Sequence, residues 1–378
     1  MVNGEIGTRV RERLRQMYPG KTQEEVAESV GISPDAFSRA LNGKRGFASI
    51  ELARLAELLS TSMYWLATGS RDPTEPTVVA RHHFDPVSLT RSVNWAELQG
   101  VVSDVRLAYD QAQTHHLAHL GETSPAALPA DASLVREALG ADFTRNFADD
   151  LETKFGIEVI RVPGVSTAVA MRIGEKSVIV LGETGNWFYQ NWSLAHELGH
   201  LALSHANADP SAAIARHVVD RQELDANAFA AELLLPAKEM YEVDWLTVQL
   251  QDVAQKIWDW GVSTDALNRR LKALRLEVSP VVASALILKT QAMLRRHWNG
   301  SGAIDAITER MNDASSRRFP SRLQAAHLEA IGAGHAPKAT LAWMLGIDES
   351  ELEVDAPQPL HEEGLDALAS DLGFKIGP

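Results

Sequence analysis

The chain has 378 residues, 45% of them hydrophobic, with 36 Lys and Arg against 50 Asp and Glu and a formal net charge of −14. That length supplies two or three domains with a core in each, and the acidic balance argues against nucleic-acid binding spread over the whole surface. Zero cysteines exclude disulfides, thiolate zinc sites and cysteine nucleophiles together.

The opening residues Met1 to Glu5 lack the basic n-region and apolar h-region of a secretory signal. Uncharged apolar runs such as Val281 to Leu288 are far too short to span a bilayer, so a cytoplasmic protein without a membrane partner is expected. Charge is uneven along the chain. Residues 1–45 hold eight Lys/Arg against six Asp/Glu, about +2, which leaves about −16 on the remainder. A small near-neutral to basic module is thus attached to an acidic body.

That module reads from Ile6 to Gly69. Val10, Leu14 and Met17 fit a first amphipathic helix with arginines on its other face. Thr22 caps a second helix that begins at Gln23 and ends at Gly31. Ser33 is the N-cap and Pro34 the first helical position of a third, reaching Leu41, and Ile50 to Leu59 forms another. Ala27 is small enough for two short helices to cross closely, and Gly31 supplies the turn between them. Val26, Val30, Ile32, Phe37 and Leu41 then make the core. The run T-Q-E-E-V-A-x-x-V-G-I-S from Thr22, the run S-R-x-L-x-G-K-R from Ser38 and the W-L-x-x-G of Trp65 to Gly69 resemble the XRE/Cro-type helix-turn-helix. The resemblance implies an all-α domain over residues 1–70 that binds a double-stranded DNA operator. Gln23, Ser33, Asp35, Ser38 and Arg39 would face the DNA, with Lys44 and Arg45 on phosphates. Operator symmetry points to a homodimer. Such helix pairs also serve as protein-binding or dimerising modules.

Residues 71–130 read as linker and helix. Pro73, Pro76 and Pro86 mark residues 70–92 as linker, and a helix from Trp95 to about Leu120 carries His115, His116 and His119, expected on a solvated face rather than at a metal. Gly121 to Ala132 reads as a second linker. A further domain is expected over residues 131–275: helices at Val135–Gly140 and Phe147–Phe155, then strand-like runs at Gly156–Val162, Thr167–Arg172 and Lys176–Leu181. Lys176–Leu181 is the expected sheet edge, where an extended peptide could add as a strand. Trp187, Phe188, Tyr189 and Trp192 follow as an aromatic cluster expected to pack in the core.

The stretch Ser193 to Ser204 contains His196, Glu197 and His200 in the order H-E-x-x-H, within an apolar run that reads as a buried helix. With 13 His in the chain, that string arises by chance on the order of a few per cent of the time. Histidines four apart share a helix face, about 5–6 Å between Cβ atoms, which suits two imidazoles meeting one zinc ion. Glu197 flanks the metal and can act as general base toward its water. A zinc hydrolase needs a third protein ligand. The helix from Arg221 to Pro236 offers Glu223, with Asp225 and Asp220 as rival carboxylates.

H-E-L-G-H-L followed by E-x-x-A-N-x-F-A-A-E-L-L-x-P resembles the ImmA/IrrE family of zinc peptidases. That resemblance implies Glu223 as third ligand, Asn227 as its supporting partner and a zincin-like plan of helices, small sheet and metal helix. It also implies cleavage of a regulatory protein, typically a helix-turn-helix repressor, in a stress or mobile-element response. Members commonly carry a further histidine eight residues after the first, whereas His205 comes nine after His196. His205 and His217 are expected as exposed helix-end residues. The rival reading is a non-proteolytic XRE-type transcription factor or antitoxin-like regulator whose metal domain serves interaction or sensing.

After Pro236 the chain is helical. The run from Trp260 to Leu271 echoes the turn at Gly31, but Ala254 and Gly261 are seven apart against four for Ala27 and Gly31, so a structural role is expected there. Residues 276–378 add helices of unknown role, with Leu345 to Pro378 an acidic tail. The whole is expected to be mainly α with a small β-sheet, an α+β fold.

Overall fold

The computed structural model describes residues 2–59, 61–70, 77–78, 83–85, 90–92, 95–114, 126–205, 216–300 and 303–354. They fall into two compact units, Met1–Glu75 and Pro76–Pro378.

The first unit is five helices, α1 (Val2–Met17), α2 (Gln23–Ser29), α3 (Pro34–Leu41), α4 (Ser49–Leu58) and α5 (Met63–Thr68). Thr22 and Glu25 form a capping box: the Thr22 hydroxyl accepts from Glu25 N at 3.3 Å, and the Glu25 carboxylate accepts from Thr22 N at 2.7 Å. Gly31 takes φ +70° between α2 and α3, a conformation that costs a side chain but not glycine. Val10, Val26, Ala27, Phe37, Leu41, Leu55, Leu59 and Leu66 are buried together. The arginines of α1 are not simply a solvated face. Arg9 donates to the carbonyls of Leu66 and Ala67 at 2.9 and 2.8 Å, and Arg11 to that of Leu41, so they close the unpaired C-terminal carbonyls of α5 and α3.

The second unit is built on a four-stranded sheet in the order β1 (Thr77–Val78), β5 (Val169–Ile173), β6 (Lys176–Gly182), β4 (Ile157–Val162). β4 and β6 are parallel, while β5 pairs antiparallel with both β6 and β1. A separate antiparallel pair joins β2 (His83–Asp85) to β3 (Thr90–Ser92). Two expectations are corrected here. Residues 70–92 are not linker throughout, because Thr77–Val78 extend the sheet against Met171 and Arg172. Lys176–Leu181 is not an edge: β6 lies between β5 and β4, and its apolar run is buried on both faces. His115, His116, His119 and the start of the expected second linker lie outside the described residues.

Successive strand residues point to opposite faces, and each face is covered. Ile157, Val159, Ala170, Ile179 and Leu181 pack against α7 (Ala132–Leu139), α8 (Phe147–Phe155), α9 (Trp187–Ala202), α10 (Arg216–Leu234), α11 (Ala237–Tyr241), α12 (Leu250–Trp260), α13 (Thr264–Ala273), α14 (Pro280–Ala285), α15 (Thr290–His297) and α16 (Ala303–Ser315) in one continuous core. Ile160, Val162, Met171, Val178 and Val180 pack on the other face with α6 (Trp95–Thr114), α17 (Ser321–Gly332) and α18 (Lys338–Leu345). The helices after residue 276 thus complete both layers. Val253 and Ala254 are wholly buried in the first core, in keeping with a structural role for the echo segment. The fold is α+β, as its sequence implies. Residues 355–378, most of the expected tail, lie outside the described residues. No described helix is long and apolar enough to cross a membrane.

Candidate metal centre

Helix α9 is the keystone of the second unit because Leu194, Ala195, Leu198 and Leu201 bury one face of it in the core. Asn186 caps its start, accepting from Tyr189 N at 3.2 Å. Two buried amides fix its first turns. Gln190 Nε2 reaches the carbonyls of Gly182, Thr184 and Ala314 at 3.0, 3.1 and 2.7 Å, and Asn191 Nδ2 donates to Gly261 O at 3.0 Å. Near its far end Gly199 meets α10 at close range. A Cβ there would lie 3.2 Å from Ala226 Cα, Ala226 O and Phe229 Cβ. With Ala226 and Ala230 also small and fully buried, the two helices approach backbone to backbone, and Glu223, one turn before Ala226, is carried over the histidines.

There His196 Nε2 and His200 Nε2 lie 3.1 Å apart, and the Glu223 carboxylate oxygens stand 3.3 Å from the first and 3.4 Å from the second. A tetrahedral zinc with ligands at about 2.0–2.1 Å would hold its donors roughly 3.3 Å apart. One donor atom from each of the three residues lies within 4.8 Å of the other two, close enough to converge on one ion, and their chemistry, two imidazoles and a carboxylate, is that of an open zinc site. Glu223 is 3% exposed. Burial alone would raise its pKa, but hydrogen bonds and charge from His196 and His200 outweigh it and hold the carboxyl well below the usual range. For His196 burial works downward and is overcome by Glu223 and Glu197, so it is raised. Asn227 sits beside the ligands: its Nδ2 donates to the backbone carbonyl of Glu223 at 2.8 Å, and its side chain helps hold the His196 pKa up. The rival Asp225 turns away to Arg221 at 3.1 Å. The side chains of Asp220 and His217 lie outside the described residues.

Glu197 is 3% exposed and accepts from Ala170 N on β5 at 2.8 Å through Oε2. Burial raises its pKa, against the pull of the two histidines, which makes it a better proton acceptor than an exposed glutamate. β5, not β6, is therefore the strand beside the centre. Tyr189 departs from the expected core cluster: Trp187 and Phe188 are buried, but Tyr189 is exposed and donates from its hydroxyl to Ser166 O at 3.3 Å.

His205 was not legible as a partner of the site. Ser204 turns through φ +55°, a left-handed conformation unusual for a residue with a Cβ, and this folds His205 back so that its Nδ1 sits 2.9 Å from His200 Nδ1. It is half-buried rather than an exposed helix end. The available signals were its position just past the helix and the further histidine that the resembled family commonly carries one residue earlier.

In the first unit Gln23, Asp35, Arg39 and Lys44 are exposed and Ser38 is half-buried. Ser33 is occupied as the N-cap of α3, its hydroxyl accepting from Ala36 N at 3.4 Å. Arg45, expected on a phosphate, is also engaged within the fold. Its Nη2 donates to both carboxylate oxygens of Glu51 at 2.6 and 2.7 Å and its Nε to Ala36 O at 3.0 Å, so its charge is already paired within the fold.

Residues 152–272 match a family model, Peptidase M78, described as an IrrE N-terminal-like domain. The match spans about a third of the chain and includes His196, Glu197, His200 and Glu223. No curated protein matches the chain, and no solved structure does.

Proposed function

We propose that this chain is a zinc-dependent peptidase joined to a DNA-binding head, and that its substrate is a regulatory protein, with a helix-turn-helix repressor the expected class. The carrying observation is the convergence of His196, His200 and Glu223 at donor spacings of 3.1–3.4 Å beside the buried carboxylate of Glu197. Zinc bound there would bring the pKa of a coordinated water toward neutrality and polarise the scissile carbonyl. His196, His200 and Glu223 would hold the ion, and His205, whose Nδ1 lies 2.9 Å from His200 Nδ1, and Asn227 would orient the imidazoles. Glu197, anchored at Oε2 by Ala170 N–H, uses its other oxygen to take a proton and pass it to the departing amine.

The DNA reading rests on the helix-turn-helix runs and on the exposed face of α3, with Gln23, Asp35, Ser38 and Arg39 toward the DNA, Lys44 on a phosphate, and Arg45 and Ser33 partly engaged within the fold. Metal analysis of the purified chain is expected to find about one zinc, lost in His196→Ala and Glu223→Ala. Glu197→Gln is expected to keep the zinc and lose peptide cleavage about a hundredfold or more. A variant that keeps both zinc and full cellular effect would instead identify a non-proteolytic regulator. Arg39→Ala and Lys44→Ala are expected to weaken operator binding and reduce its salt dependence. Unchanged binding in both would remove the DNA-facing assignment.

A further inference from the structure

A cleft of about 210 Å³ lies along the start of α9, formed by the loop from Val165 to Ala168, the end of β6 at Leu181 and the first two turns of α9 at Tyr189 and Ser193. Two separate elements tie it to the reacting centre. Ser193 is one turn before Glu197 on α9, and Ala168 is two residues before Ala170 along β5. Glu197 and Ala170 are themselves joined at 2.8 Å. The Ser193 wall of the cleft is therefore one helical turn along α9, roughly 5–6 Å between Cβ atoms, from the residue assigned to proton transfer. That is the reach of the first side chain flanking a bond under attack.

None of the residues lining the cleft carries a charge. Several of its polar groups are already spent within the fold: the Gln190 amide on three carbonyls, the Tyr189 hydroxyl on Ser166 O, and Asn186 Oδ1 on Tyr189 N. Val165, Ala168 and Leu181 supply apolar wall. An ionised side chain entering here would lose water and find no charged partner among the lining residues, whereas an aliphatic one would only gain burial.

We propose that this cleft is the side-chain subsite of the peptidase, that it takes an uncharged, aliphatic residue next to the scissile bond, and that Ser193 is a position that sets its charge preference. The inference rests on the peptidase reading above, and its test separates the two. Four amino-acid hydroxamates, of glycine, leucine, lysine and glutamate, present the same zinc-binding group with different side chains. Their affinities are measured by calorimetry on the full-length, zinc-loaded protein. Leucine hydroxamate is expected to bind about ten- to a hundredfold more tightly than the other three. Ser193→Asp is expected to move the lysine-to-leucine ratio at least about tenfold toward lysine, and Ala168→Asp on the facing wall provides the same reversal if Ser193→Asp does not fold. Equal affinity for all four overturns the subsite and leaves the metal centre standing. No binding of any hydroxamate, glycine included, overturns the metal centre and the subsite with it. A charged hydroxamate binding most tightly to the wild-type chain overturns the subsite alone.

Discussion

Gly199→Ala isolates the helix approach on which the third ligand depends. The added methyl would sit 3.2 Å from Ala226 Cα, Ala226 O and Phe229 Cβ, against a comfortable carbon–carbon separation of about 3.5–4.0 Å. Backbone atoms cannot rotate away, so α10 must move out by about half an ångström. Overpacking of this kind costs about 1–3 kcal/mol, but replacing Gly by Ala within a helix returns up to about 1 kcal/mol. The net change in stability is thus small, and the metal is the sharper reporter. Glu223 travels with Ala226, and zinc–ligand distances tolerate only about 0.2 Å. Zinc affinity is expected to fall about ten- to a hundredfold, or about 1.4–2.8 kcal/mol. Titration of the full-length variant against a competing chelator measures this directly. Affinity equal to wild type would refute the claim that close contact at Gly199 sets the position of Glu223.

His205→Ala is expected to lower zinc affinity about tenfold or more, since His200 loses the partner of its Nδ1, and His205→Asn to recover part of it. Chelator titration of both variants checks the order, which a merely space-filling role would not produce. With free zinc at a hundred times its dissociation constant, the second unit is expected to gain about 2.7 kcal/mol, seen as a rise in melting temperature that His196→Ala abolishes. In the first unit, burial works to raise the Glu51 carboxyl from 4.5, but Arg45 and Ala48 N–H outweigh it and hold the pKa lower. A carboxyl depressed in the folded state contributes stability above its unfolded value and loses it as pH falls through the folded one. Glu51→Gln is therefore expected to cost about 1–2 kcal/mol near neutral pH, with the difference from wild type vanishing in acid. A constant difference in thermal melts across that range would sink the ion-pair account.

How much could be read in advance follows the range of each interaction. His196, Glu197 and His200 were legible because helical spacing alone determines their shared site. The Thr22 and Ser33 caps were legible for the same local reason. Glu223 needed a family resemblance, because its approach depends on Gly199 and Ala226 meeting across two helices. The edge strand was misread because strand order is a tertiary property: Lys176–Leu181 and Ile157–Val162 look alike as sequence, and only pairing shows that the first is central and the second closes the sheet. Thr77–Val78 were hidden by flanking prolines in a segment too short for any periodic signal. Arg45 read as a surface cation because its partner, Glu51, carries no mark of being its neighbour. His205 depended on a single backbone torsion at Ser204.

The Gln190 amide has a consequence for where this protein can be cut. One of its three carbonyl partners, Ala314, lies more than forty residues past the end of the matched segment at residue 272. Arg318 likewise bridges to Glu152 and Asp149 at 2.7 Å each, and Arg310 NH2 to Thr144 O at 2.8 Å. The late helices are thus stitched into the start of the unit and into the base of the metal helix. Cooperative unfolding should encompass them all as one block, so a fragment trimmed to the homologous segment would be expected to forfeit its ordered centre along with its C-terminal third.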